Sequence, residues 1–580
     1  MTRTTLTESM TALSSSVFGK LSRSPSMRKT NAAIGAMVIG FGVGITPLFA
    51  ADVETEDAPL ANSVSIQEIS AVLGTSAWFQ KVYDDYLAAP LPGEIFTRGG
   101  VPEVFPEIET DPNPFGRIQT YNIHGDTITR DNAFFTSFGT NGRACITCHL
   151  PSDGMGLSLR SINKIFLNAG PTHTLFAPVD GSDCPSQVPA NETTGALFGG
   201  LKGKGIRDFV ASRSLLLTKG LIRVFIQIPD RTEYTLQTVW DPTGCNLDPD
   251  FNGGAESDDQ GHSHPKVVSV FRRPRMNANM NFNLRLDTRT CAEIGTDPIN
   301  GNLMWDGREP NLCTQALSAT LGHAQADPAN IDIILSRLDE IVAFETGMYA
   351  AQISSQSGAL DQNGALGGPV LLASHDDGTL DSNDFAGDGL TFSLYDVWLT
   401  SDDEKQLSIA RGQEIFNSRT FFISDVAGFS DFPTGPDTTL GNQSGTCSTC
   451  HNIKHGGGDI FKANQREIGV GGQAFAIGAP FATFDMPIFR LTCPQGSFLW
   501  DPTATTVTTN DPGKALITGK CRDIGKKTVP PMRALAAREP YFSDGSGRTL
   551  ADVVKFYNNR FKIGLSEQEQ KDLVNFLGAL

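Results

Sequence analysis

Two five-residue patterns constrain this chain more than anything else in it: Cys145-Ile146-Thr147-Cys148-His149 and Cys447-Ser448-Thr449-Cys450-His451. Two thiols three positions apart, followed at once by an imidazole, can bond both vinyl groups of one haem and bring the ring beneath its iron. A zinc site needs two further ligands at matching spacing. A thioredoxin-like redox pair has no use for the following histidine. The two patterns therefore read as two covalent c-type haem sites. Cys145, Cys148, Cys447 and Cys450 are the attachment points, and His149 and His451 the proximal iron ligands.

The other six cysteines are Cys184, Cys245, Cys291, Cys313, Cys493 and Cys521. An even remainder in an exported chain implies three disulfides, with fifteen connectivities open. Nearest-neighbour pairing is expected: 184–245, 291–313 and 493–521. Export is read from the start of the chain. Residues 1–31 are basic and Ser/Thr-rich, an apolar run follows from Ala32 to Ala51, and it closes on Leu48-Phe49-Ala50-Ala51. These are the parts of a secretory signal cleaved near Ala50; an uncleaved membrane anchor is the competing reading. No later segment is apolar enough to span a bilayer, so a periplasmic or secreted protein with no stable membrane insertion after cleavage is expected. The net charge of −18 argues against nucleic acid as a partner.

At 580 residues the chain is too long for one core. The expected division is a signal peptide at 1–50, an N-terminal haem domain with an insertion at 51–352, an inter-domain loop at 353–400 and a C-terminal haem domain at 401–580. Segment 64–88 has helical spacing, 90–130 reads as mostly loop, and Leu221–Ile228 and Tyr234–Val239 read as short strands. A helix is expected from Pro328 to Ala351 with Asp327 as its N-cap. Another is expected from Ser401 to Asn417. Two close the chain, at 549–560 and 566–579, the last opened by a Ser566/Glu569 capping box.

Several further motifs resemble the di-haem cytochrome c peroxidase / MauG superfamily. They are Trp305-Asp306-Gly307-Arg308, Phe271-Arg272-Arg273-Pro274, Ala410-Arg411-Gly412-Gln413-Glu414-Ile415-Phe416, Pro540-Tyr541-Phe542-Ser543-Asp544-Gly545 and Thr549-Leu550 with Val554-Lys555-Phe556-Tyr557. The resemblance covers roughly 130–350 and 400–580. It implies a mainly α fold of two cytochrome c-type haem domains, here with long loop insertions and a few short strands. It also implies that the first haem meets peroxide, that the second stores or relays electrons, and that Trp305 lies between them. A calcium ion held by backbone and an asparagine, Asn277 or Asn279, is a further family feature.

The departures from the family are as informative. Typical peroxidases carry His where this chain has Ser543, and a ligating Met fourteen residues later, where this chain has Tyr557. Tyr557 is therefore the expected second ligand of the second haem, with Met486 and Met532 as rivals. Ten residues after Trp305, at the family's distal Gln, stands Gln315; twenty after it, at the family's catalytic Glu, stands Gln325. His323 is placed to replace the lost acid–base group. The expected function is a peroxidase-like oxidoreductase that takes hydrogen peroxide or oxygen. Its electrons would come from a small redox protein or from an organic or protein substrate. A di-haem oxygenase acting on an apolar substrate and a non-enzymatic electron carrier are the alternatives.

Overall fold

The computed structural model describes residues 102–188, 204–282, 284, 289–297, 303–378, 380–430, 442–461, 465–470, 485–498 and 501–580. The expected signal segment and the 64–88 helix lie outside these residues. All described residues fall within one compact unit.

Five helices frame the site: α1 (Leu312–Gly322), α2 (Leu338–Gly347), α3 (Glu404–Ser418), α4 (Leu550–Arg560) and α5 (Glu567–Gly578). Their starts follow their caps. Asn311, Asp403, Thr549 and Ser566 each accept a hydrogen bond from a backbone N–H of the first turn. The Ser566/Glu569 capping box is formed in both directions. α3 and α5 cross at close range, because a Cβ on Gly412 would lie 2.1 Å from the Asp572 carbonyl oxygen. Ser408 and Arg411 both bond the Asp572 carboxylate across that crossing. Phe392, Phe416, Tyr395, Trp398 and Phe576 fill the core between them.

The expectation of a mainly α chain gives way to a mixed fold, since the described residues carry seven small antiparallel sheets. The 90–130 stretch is not simply loop. Ile108–Asn113 and Gly116–Asn122 form a hairpin, which Met348–Ser355 and Gly358–Ala359 extend into a four-stranded sheet. At its tight turn a Cβ on Gly116 would meet the Ser354 carbonyl oxygen at 2.2 Å, so only glycine fits. The helix expected from Pro328 to Ala351 is also corrected. A 3-10 turn at Pro328–Asn330, capped by Asp327 as expected, leads into Ile331–Leu335, a break, and α2. Met348 onward is strand. Ala350 there exchanges two hydrogen bonds with the Asn279 side-chain amide and pairs with Thr120, so tertiary pairing overrides helical spacing.

The two expected short strands are present as Ile222–Gln227 and Thr235–Trp240. The first pairs with Val267–Arg272; the second pairs with Ile488–Thr492, more than 240 residues further on. One β core thus draws Val224, Tyr234, Leu236 and Val270 from before the second haem motif and Phe489, Leu491 and Leu516 from after it. The disulfides are Cys184–Cys245, Cys291–Cys313 and Cys493–Cys521, the expected nearest-neighbour pairing. Among the described residues no helix is long and apolar enough to cross a membrane.

Candidate functional site

Both Cys-x-x-Cys-His segments fold alike. Each opens in a single 3-10 turn, Cys145–Thr147 or Cys447–Thr449. In each, the threonine hydroxyl between the cysteines accepts a backbone N–H from just before the first cysteine, at 3.1 and 2.9 Å. The backbone N–H of His149 and of His451 then donates to the first cysteine's carbonyl, each at 3.1 Å. Each imidazole donates its Nδ1 proton to the carbonyl six residues on: Met155 at 3.1 Å and Gly457 at 2.8 Å. A carbonyl only accepts, so the tautomer is set and Nε2 keeps its lone pair. Burial, partly offset by that carbonyl, pushes the His149 ring down to about 4. Neutral imidazoles with a free Nε2 are what an iron needs. The setting repeats as well: Phe134 lies 6.5 Å from His149 and 4.5 Å from Phe344, and Phe416 lies 6.1 Å from His451 and 5.8 Å from Phe576.

A cavity opens beside each motif. The first is lined by Cys145, Cys148, His149, Gln315 and His323. Gln315, Ala319 and His323 are spaced four apart along α1 and its C-cap, so they share one face. The alanines at 316 and 319 leave that face low. Gln325 does not line the cavity; it stands beyond the helix end with φ +53°, beside a backbone bridge between Gly139 and Ala326. The His323 ring meets Asp180 through Nδ1, at 2.8 Å from Oδ2.

The second cavity is lined by Cys447, Cys450, His451, Met532 and Tyr557. Tyr557 belongs to the cavity face of α4 with Val553 and Val554, and Phe561 at the helix C-cap lines the cavity too. Burial, and then the neighbouring Cys450 and Cys447 thiols, push its phenol up. Unaided it stays neutral, and only a cation within the cavity would draw off its proton. Met486 packs against Leu215, Leu221 and Phe271 instead and does not line this cavity.

Trp305 lines both cavities, as do Arg273, Pro274 and Arg275. Its indole N–H donates to the Arg273 carbonyl at 2.8 Å, its own carbonyl accepts from Thr528 N, and the Arg275 guanidinium lies 5.4 Å from its ring centre. The next residue, Asp306, is fully buried and bonds Arg272, which also forks onto Asp511. The Arg-Arg-Pro and Trp-Asp-Gly-Arg motifs are thus two sides of one contact.

The chemistry of the lining fits haem. Arg273, Arg275 and Arg538 are held down to about 10 by burial, still charged near neutrality. None of the three forms an ion pair among the described residues, and Arg273 Nη1 has no hydrogen-bond partner. Haem brings two carboxylates per molecule, the complement such buried cations lack. Calcium fits less well. Asn279 has spent both ends of its amide on Ala350. Asn277 donates to Glu345 Oε1 and keeps one oxygen, far short of the six to eight that calcium takes.

Sequence reasoning missed three contributors. Asp180 lies far from His323 in the chain and carries no motif. Arg143, two residues before Cys145, is buried and bonds Asp180. Glu345 lines the first cavity with Oε2 unpartnered, its carboxyl pushed up to about 8 by burial alone. Its only sequence signal was a place on a helical apolar stripe.

The described residues thus hold two Cys-x-x-Cys-His motifs, two cavities and one tryptophan shared by both cavities. Part of the chain's sequence is similar to cytochrome-c peroxidases. Cytochrome-c peroxidase IdrP1 of Denitromonas iodatirespirans is 40% identical over 81 residues, which is 12% of this chain and 22% of that protein. Cytochrome-c peroxidase IdrP2 of Pseudomonas sp. (strain SCT) is 27% identical over 207 residues, 32% of this chain and 51% of that protein. The chain thus spans from about a fifth to about half the length of these curated relatives. A crystal structure of a MauG-like protein associated with microbial copper homeostasis is 17% identical, covering 56% of this chain and 78% of its own, with a TM-score of 0.28. No protein-family model matches the chain.

Proposed function

We propose that this protein is an exported di-haem c-type oxidoreductase that reduces hydrogen peroxide at the site of Cys145, Cys148 and His149. The observation that carries the reading is the single face of α1 that brings Gln315 and His323 into the same cavity as His149. A pure electron carrier needs neither side chain there. Bound haem supplies the redox-active iron at each site; the chain supplies the rest. Nε2 of His323 accepts a proton from one peroxide oxygen and returns it to the other as that oxygen departs as water. Gln315 orients the oxidant by hydrogen bonding. Trp305 lies in the wall common to both cavities and carries the path between them. Tyr557 and His451 line the second cavity together and are the residues that would hold its haem iron. The overall change consumes two electrons and two protons per peroxide and yields two waters, with a small redox protein as the donor. The composition of the N-terminal segment and the three disulfides support a periplasmic or secreted location.

The test is made on the haem-loaded protein. A mass corresponding to two attached haems is expected after denaturation, with one high-spin ferric signal in low-temperature EPR and a rapid optical change on adding peroxide. Two low-spin signals with no peroxide reaction, before or after partial reduction, would make the protein an electron carrier. A reaction with oxygen and an apolar substrate but not with peroxide would make it an oxygenase.

A further inference from the structure

We infer that Asp180 is the positioning residue of the first site: it fixes the tautomer and direction of His323 and thereby decides which way that ring moves a proton. The inference rests on the acid–base reading of His323. Asp180 sits in the one-turn helix Pro178–Gly181 and is 4% exposed. Its Oδ2 lies 2.8 Å from His323 Nδ1 and takes a second bond of 2.8 Å from Arg143 Nη1. Burial would raise this carboxyl, but His323 and then Arg143 and Arg223 hold it below its usual range, so it is an anion. An anion accepts, and Nδ1 must carry the proton. Nε2 is then the free acceptor of a ring that lines the cavity.

The turn that holds Asp180 is itself locked from two sides. Arg143 donates to the carbonyls of Thr174, Leu175 and Ala177, and Arg223 donates to the carbonyl of Val179. Arg143 also reaches the His323 carbonyl at 3.3 Å, and Asn141 donates to the same oxygen at 2.8 Å. One guanidinium therefore ties three things together: the two-residue lead into Cys145, the carboxylate, and the end of α1. The ring is held relative to the haem attachment segment itself rather than by its own helix alone. A bare surface histidine would have none of these contacts.

The charged groups facing His323 are Asp180 and Arg143, with Arg223 behind the carboxylate. Across the same cavity stand His149, Glu345, Arg308 and the Arg272–Arg275 segment. Among the described residues Asp180 is the one that hydrogen-bonds the ring. Asp180→Asn removes the anion that holds the proton on Nδ1. It should let Nδ1 and Nε2 compete for the proton, as in triads whose aspartate is replaced by asparagine.

The experiment uses the full haem-loaded chain with Asp180→Asn and His323→Ala. It reads two quantities across pH 5 to 9: the peroxide reaction rate and the association rate of cyanide with the ferric first site. Cyanide arrives protonated and needs the same base but undergoes no turnover. His323→Ala is expected to slow both by about 10²–10⁴-fold. Asp180→Asn is expected to slow both by about 10-fold or more and to change the pH profile of both, with haem content and Soret bands unchanged. If His323→Ala slows both rates while Asp180→Asn keeps the wild-type rates and pH profile, the positioning role is overturned. If His323→Ala itself is indistinguishable from wild type, the acid–base reading falls and takes this inference with it. Should Asp180→Asn fail to load haem because Arg143 loses its anion, Asp180→Glu decides. It keeps the charge but displaces the carboxylate by one methylene, and an unchanged cyanide profile there overturns the inference.

Discussion

Burial sets the charge of the groups that line the two cavities, and single residues can be tested on that footing. Glu345 is pushed up to about 8 by burial with no cation to relieve it. In the unfolded chain it ionises near 4.5. Between those values the folded protein holds a proton that the unfolded chain has lost, so stability falls as pH rises through that window. Glu345→Gln removes this dependence. Chemical denaturation at pH 5 and pH 9 is expected to show a smaller loss for the variant than for wild type; equal losses would mean a counter-charge relieves the carboxyl. Tyr557 makes the opposite demand, since its phenol can become a phenolate only against a cation. A phenolate favours ferric iron, whereas a thioether raises the potential. Tyr557→Phe is expected to change the low-spin EPR signal of the second site and to raise its potential in a redox titration. If Met532→Leu changes that signal and Tyr557→Phe does not, Met532 is the ligand.

At the scale of elements, the fold rests on contacts between motifs that the sequence displays separately. Arg272 bonds Asp306 at 2.6 Å and Asp511 at 2.7 and 2.9 Å, all three side chains being buried. Its two partners hold the guanidinium well above its ordinary range, and it holds both carboxylates below theirs despite burial. Arg272→Met takes the cation shared by two buried anions, leaving Asp306 to Arg308 and Asp511 to Lys527 at 3.7 Å, and is expected to cost up to about 3–5 kcal/mol in chemical denaturation. This contact also marks where sequence reading succeeds and where it stops. Helices with a capping residue and an apolar face, such as α3, α4 and α5, are legible because both signals are local. The Cys-x-x-Cys-His segments are legible for the same reason: five adjacent residues define each. The stretch from Pro328 to Ala351 misleads because Met348–Ala351 carries helical spacing, yet Asn279 and the Gly116–Asn122 strand claim its backbone. Residues near 110 mislead because Pro112 and Pro114 read as loop, although Pro112 pairs with Arg117 on the outer strand of the sheet, a place that tolerates the missing N–H. Of the first cavity, Gln315 and His323 were legible by their distance from Trp305. Asp180 was not, since only folding brings it to His323.

The whole molecule is more interlocked than two haem units in series. Thr235–Trp240 lies ahead of the second motif and pairs with Ile488–Thr492 behind it, and Arg272 and Asp511 meet across the same divide. A fragment comprising 401–580 alone would expose one side of that β core and take Arg272 from Asp511. It is expected to remain unfolded or aggregate, as read by circular dichroism and gel filtration, and to regain structure when co-expressed with 51–400.

That interlocking is also what places Trp305. Its indole is pinned by the Arg273 carbonyl and its backbone by Thr528, one contact from each side of the divide, so it stands in the wall shared by both cavities. A residue so placed has two readings with different consequences. If it is the electronic link, Trp305→Phe keeps an aromatic ring and most of the packing but replaces the easily oxidised indole. Both Soret bands should then be intact, while exchange of electrons between the two sites, followed by stopped-flow absorbance after a peroxide pulse, slows. If it is a core residue only, a truncation to Ala would lower stability by about 3–5 kcal/mol, and Trp305→Phe would leave that exchange at its wild-type rate. The indole's hydrogen bond to a backbone carbonyl rather than to a carboxylate leaves no base to take its proton. Transfer through Trp305 is therefore expected to proceed without a lasting tryptophan radical, and peptide mass analysis after repeated peroxide additions should recover Trp305 unmodified.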